Sequence, residues 1–296
     1  MSHPNEHGLG FRVKAWLIAA RLFVTPWIAV NALLGTSLAG FNLQAWFLAF
    51  AITTLVLVSA HFINAWRDFV KGLDMVEEGS VAKPYTAGSQ VLPRGWLSLR
   101  TVKASAIALL ALSACLMVFA PRRLDAWLLY ALGVAMALTY TDFFKPRGLG
   151  EVALFLGHGF GTTTCAYSLV RPIDPTGISA GVLLGMWAGI VYTIDQYIDV
   201  QTDFMKRVRN LAYMVFKANV RISQLWYFLL TATLTMQMGF VILGWLPKET
   251  LLSIFCLPLG HVAGILIDYN FERGTLLCLV NMWFFALLMS LGILLL

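Results

Sequence analysis

An all-α integral membrane protein of about nine transmembrane helices is the fold class this sequence predicts, on three observations. Hydrophobic residues fill 59% of the 296 positions and charged residues 12%, against roughly 45–50% and about 25% in soluble domains. Apolar runs close to the length needed to cross a hydrocarbon core recur along the whole chain, and mean hydropathy is +0.76. The polar intervals between those runs are too short for a soluble domain, so residues 1–296 read as one transmembrane domain.

The expected spans are 16–39, 43–66, 102–120, 124–142, 151–171, 177–198, 222–245, 250–267 and 275–296. The first carries Arg21 and then Pro26, which predicts a kink. A buried arginine needs an anionic partner, from a neighbouring helix or from substrate. Asn31 in the same helix reads as an interhelical hydrogen-bonding group. The second span brings His61 and Asn64 to its far boundary, and His61 reads as a packed or hydrogen-bonded histidine because no Cys or second His stands at ligand spacing. The fourth closes on Tyr140, Thr141 and Asp142 and runs into FFKPRGLGE at 143–151. The fifth is rich in small residues, Gly157, Gly159, Gly161 and Thr162 to Thr164, suited to close helix approach. The opening MSHPNEHGLG lacks the basic region and cleavage site of a secretory signal, so the first helix is expected to be retained. Cys115, Cys165, Cys256 and Cys278 all fall within spans at no metal-ligand spacing and read as packing residues.

The formal net charge of +6 arises from 21 Lys and Arg against 15 Asp and Glu, and its distribution matters more than its size. With the N-terminus in the cytoplasm, only Arg122, Arg123, Arg171 and Lys248 fall outside, Arg21 lies within the first span, and the rest lie inside. That satisfies the positive-inside rule and predicts a multi-pass protein of the cytoplasmic membrane. Nucleic-acid binding is not needed to explain the basic balance.

Two acidic stretches then share the cytoplasmic face. Asn64 to Asp74 reads NAWRDFVKGLD. On a helix Asn64 and Asp68 lie on one face, and Gly72 ends the helix so that Asp74 can turn back toward them. Asp195 to Asp203 reads DQYIDVQTD, with Asp195, Asp199 and Asp203 four residues apart on one face. Five of the chain's 15 acids thus sit in two short stretches, and carboxylates at membrane depth require compensating cations. Mg²⁺ takes oxygen ligands and commonly bridges carboxylates to substrate phosphates. The expected metal ligands are therefore Asn64, Asp68, Asp74, Asp195, Asp199 and Asp203, around a diphosphate. Asp68 and Asp199 are the central acid of each motif. Basic residues adjoin both stretches and are expected at the diphosphate: Arg67 and Lys71 in the first, Lys206, Arg207 and Arg209 after the second. Lys145 and Arg147, beside glycines and a helix start, are placed to grip phosphate oxygens, with Tyr140 as a further donor. His261, Asp268, Glu272 and Arg273 near the eighth span read as structural.

These motifs resemble the UbiA superfamily of intramembrane prenyltransferases. The resemblance rests on Asn64-x-x-x-Asp68-x-x-x-Gly72-x-Asp74, on RGLGE at Arg147 to Glu151, and on Asp195-x-x-x-Asp199-x-x-x-Asp203. It extends over the chain from about the first to the ninth span, and its first motif and RGLGE are nearest the menaquinone-type (MenA-like) branch. It implies nine helices around a central cavity, two Asp-rich motifs holding Mg²⁺ and a prenyl diphosphate, and transfer of the isoprenoid to an aromatic or other lipophilic acceptor. Three positions depart from that branch: Ala65 stands where an Asp is common, Ile198 where an Arg usually precedes the central Asp, and MKRVRNLA where Gly-Lys-x-Thr-Leu usually follows. A terpene cyclase on the same scaffold is the alternative, with the cation closing on its own double bonds. A transporter is a third class, against which the acids cluster at one membrane face rather than midway along the helices.

Overall fold

The computed structural model describes residues 8–72, 89–197, 200 and 210–295. Among the described residues every regular element is helical. The first helix, α1 (Leu9–Ala20), ends where Arg21 takes left-handed backbone at φ 49°. A 3₁₀ turn, Leu22–Val24, follows, and α2 (Thr25–Gly40) starts with Pro26 in its first turn. The kink expected at Pro26 is therefore a break at Arg21. Proline's missing N–H has no helical partner to lose at a helix start, so Pro26 begins a helix here.

Asn42 caps α3 (Leu43–Val70), its side-chain oxygen accepting from the Ala45 amide at 2.9 Å. With 28 residues, α3 runs about 42 Å at 1.5 Å per residue, against about 30 Å of hydrocarbon. Its surplus turns can carry Asn64, Asp68 and Arg67 past the apolar core. α4 (Leu99–Met117) packs along α3, and α5 (Leu124–Thr139) continues through a π turn, Tyr140–Phe144, and a 3₁₀ turn, Lys145–Arg147. The expected fifth span is a segmented rod: α6 (Gly150–Leu154), a π stretch Phe155–Gly161, and α7 (Thr162–Ser168). Next come α8 (Pro175–Tyr197), a short helix Leu211–Lys217, and helices Ile222–Ile242, Leu257–Tyr269 and Phe271–Leu295, the third of these four entered through a 3₁₀ stretch at Lys248–Cys256. Eight helical stretches among the described residues are long and apolar enough to cross a membrane. The segmented rod is the counterpart of the remaining expected span.

Lipid tails are as apolar as leucine, so contact between these helices depends on close fit. The small residues supply it. A Cβ on Gly35 of α2 would collide with the Thr163 carbonyl of α7, and one on Gly159 with the Leu184 carbonyl of α8. Trp187 of α8 is the centre of the aromatic core, with Trp226 and Phe285 at ring-centroid distances of 5.6 and 5.2 Å.

Candidate active site

Asp68 ends the buried face of α3, with its side chain 2% exposed. Its Oδ2 accepts from Lys145 Nζ at 2.7 Å, while its Oδ1 is buried and has no hydrogen-bond partner among the described residues. One turn earlier, Asn64 Oδ1 accepts from the Thr141 hydroxyl at 3.0 Å, which aims the amide oxygen and leaves it a second lone pair. Arg67 and Lys71, expected at the diphosphate, both ion-pair with Asp142. Acids and cations thus alternate around the end of α3.

The π turn explains how α5 joins this group. The Lys145 amide donates to the Tyr140 carbonyl, a five-residue closure that brings Tyr140 and Lys145 onto one side. The Tyr140 hydroxyl bonds the Tyr192 hydroxyl of α8 at 2.7 Å. RGLGE has a local reason for each part. Gly148 turns the chain at φ 68°. Gly150 leaves room for Tyr192, since a Cβ there would come within 2.5 Å of the hydroxyl oxygen. Glu151 Oε1 accepts from the Leu211 amide at 3.0 Å. Arg147 lies exposed, 4.2 Å over the Phe143 ring, and donates to the Phe143 carbonyl at 3.0 Å.

Beyond Tyr192 opens a cavity of about 160 Å³. Asp195, Tyr192, Arg21, His61, His158 and Glu272 are its titratable lining, and Leu57, Leu276, Leu279 and Met282 are among its apolar walls. Asp195 and Tyr192 sit on the same face of α8 as Ala188, as His61, Asn64 and Asp68 share one face of α3. Two helices thus each offer a polar end and a cavity-lining stretch.

The structure therefore brings Asn64, Asp68, Lys145 and Tyr140 toward one group, with Asp195 on the adjoining cavity, and ties Arg67 and Lys71 to Asp142. Asp74, Asp199, Asp203, Lys206 and Arg209 lie outside the described residues. His61, read from the sequence as packed or hydrogen-bonded, is among the residues lining the cavity, and its Nε2 is unpartnered among the described residues. Arg21 also lines it. Sequence reasoning missed Tyr192, His158 and Asp142. The spacing of Tyr192 three before Asp195, and of His61 seven before Asp68, was the available signal.

The fit of this site to Mg²⁺ is testable on its donors. A buried carboxylate oxygen with no partner among the described residues and an oriented amide oxygen one turn away are hard oxygen ligands of the kind Mg²⁺ takes. No group of three His, Cys, Asp or Glu side chains is assembled among the described residues. The described donors are a partial shell, and Lys145 already neutralises one side of it.

The described residues form a helical bundle with acids, an amide and cations grouped at helix ends beside a largely apolar cavity. The model of the UbiA prenyltransferase family matches residues 23–283, and the chain belongs to that family, whose superfamily consists of prenyltransferase-type enzymes. A search among curated proteins by sequence found no match. Solved structures agree in fold. A UbiA homolog from Archaeoglobus fulgidus bound to DMAPP and Mg²⁺ superposes with TM-score 0.66 at 14% identity, covering 93% of this chain and 99% of that one. An apo UbiA homolog from Aeropyrum pernix K1 gives 0.64 at 18% identity, covering 93% and 97%. A structure described as digeranylgeranylglyceryl phosphate synthase gives 0.64 at 16% identity, covering 96% and 99%.

Proposed function

We propose that this protein is a Mg²⁺-dependent intramembrane prenyltransferase that ionises a prenyl diphosphate and transfers the isoprenoid to an aromatic or other lipophilic acceptor. The observation that carries the reading is the Asp68 carboxylate, half satisfied by Lys145 and half open, on one helix face with the aimed Asn64 oxygen. Family membership supports the donor class, and the Archaeoglobus fulgidus homolog bound to GPP and Mg²⁺ supports a short prenyl diphosphate with that metal.

Asn64, Asp68 and Asp195 would hold the metal together with Asp74, Asp199 and Asp203. When bound, Mg²⁺ supplies positive charge to the diphosphate oxygens and so makes them a better leaving group. Lys145 donates from the Asp68 side, and Tyr140 hydrogen-bonds the same anion while Tyr192 fixes its ring. Arg67, Lys71, Lys206 and Arg209 are the outer cations, and Arg147 swings from the Phe143 ring to close a bidentate contact. The apolar walls exclude water from the cation that departure leaves behind. The basic residues of the loops support an orientation with this site and the N-terminus on the cytoplasmic side. RGLGE and the first motif, nearest the menaquinone-type branch, make an aromatic ring the first acceptor class to try.

Purified protein with Mg²⁺ and geranyl diphosphate, with and without aromatic acceptors, tests this. Prenylated acceptor and equimolar diphosphate are expected. A cyclic hydrocarbon or alcohol formed without acceptor would replace the transferase reading with a cyclase, and no Mg²⁺-dependent diphosphate release would end both.

A further inference from the structure

Arg67 and Lys71 lie one turn apart at the end of α3 and converge on a single carboxylate. Arg67 Nη1 meets Asp142 Oδ2, and Lys71 Nζ meets Asp142 Oδ1 at 2.5 Å. One cation on each carboxylate oxygen is also the way such side chains grip two oxygens of a phosphate group. Both cations have backbone acceptors beside the carboxylate: Arg67 donates to the Leu138 carbonyl, and Lys71 to the Thr141 carbonyl at 3.4 Å. The pair therefore keeps its place when the carboxylate moves off. The side chains of Arg67, Lys71 and Asp142 are 24%, 40% and 46% exposed, so an anion from solution can reach them. Asp142 is not needed to fasten this joint. The same end of α3 is tied to the same turn by Lys145 on Asp68 at 2.7 Å and by Thr141 on Asn64 at 3.0 Å, and partly exposed ion pairs contribute little to stability.

We propose that Asp142 is a positioning residue that fills the Arg67–Lys71 clamp as an internal competitor, yields it to the diphosphate of the bound donor, and takes it back as free diphosphate leaves. The inference rests on the prenyltransferase reading and deepens it, since that reading makes the clamp's anion a diphosphate. Arg67 and Lys71 flank Asp68 along α3, and Asp142 precedes Lys145 by three residues, so the clamp adjoins the Lys145–Asp68 pair. Between turnovers the carboxylate holds both cations in the geometry an incoming anion needs, which spares them from being ordered on binding. With donor bound, the displaced carboxylate stays close on the π turn and repels the anion. Diphosphate is thus admitted by exchange and released by exchange, and the charge of Asp142 sets how tightly it is kept.

Calorimetric titration of inorganic pyrophosphate and Mg²⁺ into the full chain in detergent, with no donor present, tests this. Asp142→Asn is expected to bind pyrophosphate about tenfold more tightly than wild type, because a unit charge close to the anion is gone from a site that water still screens. Asp142→Glu keeps the charge and should stay within about threefold of wild type. Asp142→Asn combined with Lys71→Met should lose the gain. An affinity in Asp142→Asn equal to or weaker than that of wild type, no measurable binding to it, or a gain shared by Asp142→Glu overturns the proposal and leaves Asp142 a clasp between helices. If Asp142→Asn does not fold, Lys71→Met decides. It keeps the Arg67–Asp142 pair and should bind pyrophosphate several-fold more weakly than wild type, and an unchanged affinity overturns the clamp. Absence of Mg²⁺-dependent turnover of geranyl diphosphate by the wild type, with the expected order of pyrophosphate affinities intact, would instead fault the prenyltransferase reading.

Discussion

Replacing Lys145 with Met is expected to make the protein's thermal stability more responsive to Mg²⁺. Lys145 Nζ lies 2.7 Å from Asp68 Oδ2, with side chains 26% and 2% exposed. Removing one partner of a buried ion pair typically costs about 3–5 kcal/mol. Lys145 is partly exposed, so water reaches that side and the expected cost is about 2–3 kcal/mol. At roughly 2 °C per kcal/mol for a chain of this size, the metal-free variant should melt about 5 °C lower in detergent. In the proposed site Mg²⁺ would supply the missing positive charge to the same carboxylate, and a ligand at a hundred times its dissociation constant returns about 2.7 kcal/mol. The assay is thermal unfolding of wild type and Lys145→Met across a Mg²⁺ titration, with Ca²⁺ as the less suitable cation. The variant's melting temperature is expected to rise with Mg²⁺ by several degrees more than the wild type's. Equal Mg²⁺ shifts in the two proteins would show that metal and lysine do not share Asp68, and the site assignment would fail.

Asp68→Ala and Asp199→Ala are each expected to abolish Mg²⁺-dependent diphosphate release while leaving a folded, monodisperse protein; near-normal release from either would undo the two-motif metal site. Arg147→Lys should slow diphosphate release nearly as much as Arg147→Gln, on the order of 10²-fold, because a point charge does not reproduce a bidentate fork; rates within about threefold of wild type would reduce Arg147 to its contact with Phe143. Tyr192→Phe removes the 2.7 Å bond to Tyr140 without changing volume; the Michaelis constant for donor should rise several-fold, and an unaltered value would separate the tyrosine pair from donor binding. Gly159→Ala drives a methyl into the Leu184 carbonyl; a loss of about 1–3 kcal/mol is expected in denaturant or thermal unfolding, and a neutral result would mean that α8 and the π stretch separate at little cost.

Within single segments, the amino-acid order determined a great deal about this protein. Backbone groups surrounded by hydrocarbon must bond within their own segment, so each long apolar run between charge and turn signals had to be helical. Helical periodicity likewise put Asn64 and Asp68 on one face and carried Tyr192 and Asp195 together along α8. Tertiary structure decided what periodicity within one helix has no means to rank. Arg67, Lys71 and Lys145 are all cations near the same acids, yet Lys145 pairs with Asp68 across 77 residues while Arg67 and Lys71 go to Asp142. A π turn of one extra residue brings Tyr140 and Lys145 onto one side, and Gly150 admits Tyr192 beside them. The break at Arg21 and the His61 and His158 Nε2 atoms, unpartnered among the described residues, belong to the same class. Whether a buried polar atom has a partner depends on which helices approach it, and that follows from the fit of small residues between helices rather than from the apolar pattern that makes each helix.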